Sequence, residues 1–250
     1  MTGAIFKNPQ LEGGAFFIPG NQIGLLMVHG FTATTAEVRL LADLLAPKGY
    51  TIAAPLLPGH NTTPEDLNGC QWQDWANEVR DAYAKLSSGC RQVFLCGESM
   101  GALLCLYLAA QVPDISGLIL YAPAMKVPQL QYSRWISLFK PFLPKPHLDD
   151  DLLWKGYTVN PTRAAAQLFN LQGEVRRLLP KVHQPTLIFM GKMDETIALE
   201  SGNMVLNGIA SRDKTLQWME KSHHCIILDQ ENGQVADLTH QFIISRQKKE

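Results

Sequence analysis

The sequence has little charge imbalance and no long run of charge of one sign. Over 250 residues the formal net charge is −1, and the one basic cluster lies near the C-terminal end, at Arg246, Lys248 and Lys249. Nucleic acids and anionic membrane surfaces are bound through concentrated positive charge. We therefore expect no nucleic-acid partner, and we interpret the terminal basic residues as solvated.

Long hydrophobic runs are also missing. The longest, around residues 102–110, is far shorter than the about 20 apolar residues that cross a bilayer as a helix. Residues 1–20 carry Lys7 without a continuous apolar stretch or a small-residue cleavage site after it, so a secretory signal is not expected. These absences predict a cytoplasmic protein without stable membrane association.

Cysteine is sparse, and its spacing argues against the common uses of the thiol. The cysteines form an odd set without a CxxC pair: Cys70, Cys90, Cys96, Cys105 and Cys225. Neither a disulfide framework nor a cysteine and histidine ligand set with metal spacing is recognisable. The sequence therefore predicts reduced packing cysteines, no metal and no organic cofactor, with a reactive Cys225 beside a histidine as the alternative.

What the sequence does contain is a regular alternation of short apolar runs with amphipathic runs. Strands are predicted at residues 15–18, 23–28, 50–54, 92–96, 118–121, 186–190 and 215–219, and helices at 37–46, 72–86, 100–112, 200–207 and 234–245. Alternating strands and helices build right-handed βαβ units with helices on both faces of the sheet. The predicted fold class is therefore α/β, with a doubly wound, mostly parallel sheet.

The alternation breaks between residues 124 and 183. This stretch contains six prolines and several interspersed aromatic residues. A structureless loop of that length is uncommon in a compact domain. We therefore predict a small, mainly helical lid at 124–183, with a helix near 163–179, inserted between two parts of the core, 1–123 and 184–250.

The stretch Gly97-Glu98-Ser99-Met100-Gly101 joins a predicted strand to a predicted helix. A strand that turns directly into a helix needs a strained residue at the apex, and a serine there projects its hydroxyl beyond the sheet. Glycines on both sides remove the Cβ atoms that would clash. The stretch predicts a nucleophile elbow with Ser99 as nucleophile, but it offers no physical reason for the carboxylate of Glu98.

Three further segments come directly after predicted strands and so belong to the same edge of the sheet. They are His29-Gly30-Phe31, Asp194 and His224. A serine hydroxyl needs a base to take its proton, and an imidazole base needs a carboxylate to orient it. Ser99, Asp194 and His224 are the candidate nucleophile, acid and base, and their chain order is the one associated with this sheet topology.

Motifs outside residues 124–183 carry a family resemblance that covers most of the chain. They are residues 25–32 (LLMVHGFT), 38–41 (VRLL), 48–51 (KGYT), 54–60 (APLLPGH), 97–101 (GESMG), 191–194 (GKMD) and 222–229 (SHHCIILD). With them the chain resembles the α/β-hydrolases, and more closely the small bacterial carboxylesterases and monoacylglycerol lipases. In those enzymes the base stands in a Ser-x-His pattern, which implies His224 rather than its neighbour His223.

The acid and the loop histidines have alternatives of their own. Asp194 matches the motif position of the acid, whereas Glu195 comes one residue too late and Asp229 is expected to support the histidine loop. His29 and His60 are expected to orient loops by hydrogen bonding rather than to react.

The resemblance implies a serine carboxylesterase that forms an acyl-enzyme on Ser99 and releases the acid to water. Acyl transfer also needs donors for the negative oxygen of the intermediate, and the backbone N–H groups of Phe31 and Met100 are the candidates. The expected substrates are small-molecule esters with short to medium acyl chains, with the lid setting the length limit. Alternatives are a monoacylglycerol lipase and, from another class, a non-catalytic binding protein with this fold. The chain is expected to be a monomer or a weak homo-oligomer.

Overall fold

A computed structural model describes residues 5–145 and 151–247. The described residues contain eleven strands, β1 to β11 in chain order: Phe6–Lys7, Phe16–Ile18, Ile23–Val28, Thr51–Ala54, Gln92–Glu98, Gly117–Tyr121, Phe142–Pro144, Gly156–Tyr157, Val159–Pro161, Thr186–Gly191 and Lys214–Met219. They also contain eight α-helices, α1 to α8: Ala36–Leu45, Pro64–Gly69, Trp72–Ser87, Met100–Ala109, Ser133–Ile136, Thr162–Leu178, Glu200–Gly208 and Asn232–Ile244. Lys248 and Lys249 lie outside the described residues.

Seven strands form the central sheet, in the order β11-β10-β6-β5-β3-β4-β2. Neighbouring strands are parallel except at one edge, where β2 runs antiparallel to β4. The predicted α/β class with a mostly parallel sheet is confirmed. Because β5 is the central strand, the residue that follows it lies at the middle of the carboxyl edge, where ligand sites of such sheets collect.

The helices of the core pack in two groups. Helix α1 packs against α8, whereas α3, α4 and α6 pack against one another. All but one of the ten residues of α4 are buried, as expected for a helix that is apolar on every side. Among the described residues, no helix is long and apolar enough to cross a bilayer.

The short helix α2 is a core helix that the sequence prediction missed. Thr63 caps it by accepting a hydrogen bond from the N–H of Asp66 at 3.1 Å, and Pro64 occupies its first turn. A threonine cap followed by proline is a recognised helix start. The signal was therefore present, but six residues are too few to show helical periodicity.

The segment 124–183 contains α5, α6 and the strands β7, β8 and β9. Helix α6 lies where a helix was predicted, but the short strands were not foreseen. Strand β8 pairs with β1 near the N-terminus, with Tyr157 opposite Phe6. The N–H of Tyr157 also donates to the carbonyl of Thr32 at 2.9 Å. The segment is therefore held against the loop after β3, and its role as a lid stays a prediction.

Candidate active site

Ser99 forms the turn between β5 and α4. Its backbone has φ 55° and ψ −110°, a conformation that is costly for a residue with a Cβ atom. A Cβ on Gly97 would come within 2.5 Å of the backbone of Gly101, and one on Gly101 within 2.1 Å of the carbonyl oxygen of Val28. Strand and helix approach so closely that larger residues are excluded, and the turn has the strained geometry expected from the glycine spacing.

The structure brings the three predicted side chains into one hydrogen-bonded line. Ser99 Oγ donates to His224 Nε2 at 2.9 Å, and His224 Nδ1 donates to Asp194 Oδ2 at 2.8 Å. Because a carboxylate can only accept, this pairing puts the ring proton on Nδ1 and leaves Nε2 free to take the proton of serine. Ser99 follows β5, Asp194 follows β10 and His224 follows β11, so the carboxyl ends of three strands in one half of the sheet assemble the line.

The carboxylate of Asp194 is stabilised in its ionised form. Its Oδ1 accepts the N–H groups of Thr196 at 2.8 Å and Ile197 at 3.0 Å. Burial alone would raise the pKa of Asp194, but the charge and hydrogen bond of His224, together with these two N–H groups, hold it below its ordinary value. A buried anion at this position fixes the orientation of the His224 ring.

The neighbouring histidine has a different partner. His223 Nδ1 donates to Asp229 Oδ2 at 2.9 Å, and the backbone N–H of His223 donates to the same oxygen at 2.7 Å. The side chain of His223 is 51% exposed, whereas that of His224 is 16% exposed. Asp229 thus supports the histidine loop. Glu195 is exposed beside the buried Asp194, which makes it a poor candidate for the acid.

The loop that contains Phe31 is held on both sides by buried side chains. The N–H of Gly30 donates to Glu37 at 2.5 Å, and the N–H of Thr32 donates to His60 Nε2 at 3.2 Å. The ring of Phe31 packs edge-on against Trp75, with ring centroids 6.2 Å apart. The backbone around the candidate donor Phe31 is therefore preorganised, while Met100 is the first residue of α4.

His29 and His60 are buried and form the loop contacts expected of them. His29 Nε2 accepts the N–H of Leu57 at 3.2 Å, and its Nδ1 donates to Gly30 O at 2.9 Å. Burial lowers the pKa of His29 to about 4. Burial, and then the nearby His29, lower the pKa of His60 well below its ordinary value. Both rings are therefore neutral, and both join the loop after β3 to the loop after β4.

Known proteins match this chain over nearly its full length. Residues 25–238 match the sequence profile of the alpha/beta hydrolase family. The chain belongs to that family.

Two curated relatives and one solved structure illustrate the similarity of this α/β-hydrolase to other members. The thermostable monoacylglycerol lipase of Bacillus sp. (strain H-257) is 30% identical over 94% of this chain and 96% of its own length. A carboxylesterase of Bacillus subtilis (strain 168) is 32% identical over 91% of this chain and 93% of its own. A structure from work on LipS and LipT, two metagenome-derived lipolytic enzymes, superposes with a TM-score of 0.89 at 30% identity, covering 93% of this chain and 98% of its own.

Sequence reasoning gave no role to three ionisable residues around the site of this α/β-hydrolase. Glu37, in the first turn of α1, is buried against Gly30, and burial raises its pKa although the Gly30 N–H lowers it. Glu98 is also buried, directly before Ser99. Lys145, from the segment 124–183, donates to Thr32 Oγ1 at 2.8 Å. Glu98 lies within the elbow motif, whereas no local motif marks Glu37 or Lys145, because their proximity to the site depends on the tertiary fold.

Acidification should destabilise this α/β-hydrolase through His29. The folded-state pKa of about 4 lies below the ordinary value of 6.5, so the stability contributed by the neutral ring is complete above pH 6.5 and is lost as the pH falls toward 4. The expected loss at pH 4 from this residue is about 3 kcal/mol. Urea unfolding at neutral pH and at pH 4 measures it.

The control for this prediction uses two glutamine variants. His29→Gln removes the titrating ring, so its unfolding free energy should fall less between the two pH values. His183→Gln removes an exposed ring and should behave as the wild type does. Equal losses in the wild type and His29→Gln would contradict the assignment.

Proposed function

We propose that this α/β-hydrolase is a serine carboxylesterase that hydrolyses short to medium acyl esters through an acyl-enzyme on Ser99. The hydrogen-bonded line from Asp194 through His224 to Ser99, with contacts of 2.8 Å and 2.9 Å, carries the proposal. The chain is a carboxylic ester hydrolase, as indicated by the two relatives that match most of its length and have that kind of activity in their names.

In the acylation step, Ser99 Oγ attacks the ester carbonyl while His224 Nε2 takes the serine proton. The carbonyl π electrons move to oxygen and form the tetrahedral intermediate. Asp194 stabilises the imidazolium that results, because its carboxylate is buried, ionised and already bonded to Nδ1. His224 then gives the proton to the leaving alcohol as the C–O bond breaks, which leaves the acyl-enzyme.

The negative oxygen of the intermediate would be bound by the backbone N–H groups of Phe31 and Met100. Met100 begins α4, so the helix dipole adds positive potential at that position. The contacts on both sides of Phe31 hold its loop before substrate arrives, so little reorganisation is needed during the reaction. Each donor of this kind contributes about 3 kcal/mol of transition-state stabilisation.

Deacylation uses the same residues, with a water molecule in the place of the serine hydroxyl. His224, neutral again after the alcohol leaves, takes a proton from water as the water oxygen attacks the acyl carbon. Collapse of the second intermediate breaks the bond to Ser99 Oγ, which recovers the proton from His224. The products are the alcohol from the first step and the carboxylic acid from the second.

A monoacylglycerol lipase is the second candidate, and the surface of the segment 124–183 favours it. Several large apolar side chains of this segment are exposed, namely Tyr132, Trp135, Leu138, Phe139 and Leu153. Exposed apolar patches commonly contact apolar ligands or surfaces, which suits substrates with long acyl chains. The relative from Bacillus sp. (strain H-257) has this activity in its name.

A cytoplasmic location and the oligomeric state stay predictions.

A fluorophosphonate probe tests the nucleophile. The wild type should be labelled, because the probe reacts with a serine activated by an adjacent base, and Ser99→Ala should not be labelled. Hydrolysis of p-nitrophenyl butyrate should fall on the order of 10³-fold or more in Ser99→Ala. Ser88→Ala, which changes an exposed serine directly after α3, is the control. Labelling of Ser99→Ala would refute the assignment, and an inactive, unlabelled wild type would favour the non-catalytic alternative.

A pair of alanine variants tests the base. His224→Ala should abolish turnover because Ser99 then has no proton acceptor, whereas His223→Ala should keep most of the activity because its ring bonds Asp229 instead. The measurement is kcat/KM with the same p-nitrophenyl ester, after circular dichroism has shown that both variants are folded. The reverse order of activities would reassign the base to His223.

A chain-length series separates the two esterase candidates. With p-nitrophenyl esters from acetate to palmitate, kcat/KM should be highest for short to medium acyl chains. Monoacylglycerols of matched chain length, assayed by release of glycerol, should be poorer substrates. Ser99→Ala supplies the background rate in both assays. A preference for the long-chain glyceride would replace the carboxylesterase assignment with a monoacylglycerol lipase.

A further inference from the structure

Glu98 has an unusual environment for a glutamate. It is the last residue of β5, directly before Ser99, and it is 0% exposed. Neither of its carboxyl oxygens has a hydrogen-bond partner among the residues that the structure describes. An ionised carboxylate in such a place is very unfavourable, so the group takes up a proton instead. Burial first, and then the charges of Glu37 and Asp194, raise its pKa well above the ordinary value.

Glu98 shares its surroundings with two other carboxyl groups, and we call Glu37, Glu98 and Asp194 the carboxyl cluster. Asp194 accepts three hydrogen bonds, which stabilise its anion. Glu37 accepts the N–H of Gly30 at 2.5 Å. Glu98 alone lacks a donor among the described residues. Since like charges at close range disfavour one another, the proton of the cluster belongs on Glu98.

The other titratable groups around the cluster do not reverse this conclusion. Tyr121, from β6, and Cys96, on β5 itself, are both buried, and burial raises their pKa values, that of Cys96 to about 12. Both groups therefore stay neutral over the pH range in which an esterase works. Burial raises the pKa of Glu37, whereas the N–H of Gly30, the charge of Lys145 and the thiol of Cys225 at 3.9 Å favour its ionised form.

We propose that Glu98 is a positioning residue for hydrolysis that works as a neutral acid, and that the loss of its proton at alkaline pH slows the attack of Ser99. An anion on the residue next to the nucleophile opposes the negative charge that develops on the tetrahedral intermediate. This inference rests on the proposed function of Ser99.

The test compares pH profiles of kcat/KM for the wild type and Glu98→Gln, from about pH 5 to about pH 10. An amide has the shape of the protonated carboxyl group but never ionises. The acid limbs should coincide because position 98 carries no charge in either protein there. On the alkaline side the wild-type value should fall by about tenfold or more while that of Glu98→Gln stays level.

Glu195→Gln is the matched control, since it removes an exposed carboxylate one residue from Asp194. Solvent screens that charge, so this variant should follow the wild type over the whole range. Should Glu98→Gln fail to fold, Glu98→Met is a second uncharged variant for the same measurement. An alkaline fall shared by the wild type and the uncharged variant would overturn the proposal. A displaced acid limb in the variant would do so too, because it would show that Glu98 is ionised at neutral pH.

Infrared spectroscopy provides a readout that does not depend on activity. The difference spectrum between neutral and alkaline wild-type protein should contain the C=O band of a protonated carboxylic acid, absent from the same difference for Glu98→Gln. A wild type that shows this band but no hydrolysis refutes the proposed function and leaves the proton on Glu98 established. Hydrolysis without the band refutes the inference on Glu98 alone.

Discussion

The close approach of β5 to α4 is the constraint on which the site depends. With so little space, Ser99 must adopt a positive φ, and that conformation sets its Oγ beyond the carboxyl edge of the sheet, within 2.9 Å of His224. The unfavourable backbone energy at this one residue is offset by the burial of the strand and helix on either side, since nearly all of both elements is buried. A rigid core thus maintains local strain at Ser99, the proposed nucleophile.

Charge around the site is controlled by burial as much as by pairing. His29 and His60 are uncharged because they are buried, and each joins the two loops through Nε2 while its Nδ1 bonds a carbonyl of its own loop. Asp194 keeps its charge because hydrogen-bond donors surround it, whereas Glu98 is held neutral because donors are lacking around it among the described residues. Two carboxyl groups near one site thus have different protonation states, with Asp194 ionised and Glu98 neutral. Such a difference allows chemically similar groups to have different roles.

The core elements and the proximity of Ser99, Asp194 and His224 could be predicted from the sequence, because they depend on local patterns: periodicity for the strands and helices, and short motifs at strand ends. The catalytic roles of the three residues stay predictions. The sequence did not predict β1, β8 or the contact of Lys145 with Thr32. Two-residue strands have no periodicity, and their partners lie about 150 residues apart in the chain, so their pairing is a property of the folded chain alone. The contact of Glu37 with Gly30 was not predicted either, because an acidic residue in the first turn of a helix is common and does not by itself indicate such a contact.

The pairing of β8 with β1 constrains how the segment 124–183 can move. Residues 154–158 bond both the N-terminal strand and the loop after β3, and α6 of the same segment packs against α3 and α4. The exposed apolar residues Trp135, Leu138 and Phe139 belong to the part of the segment around α5. Residues 154–158 therefore anchor the middle of the segment, because they cannot leave the core without breaking main-chain pairing.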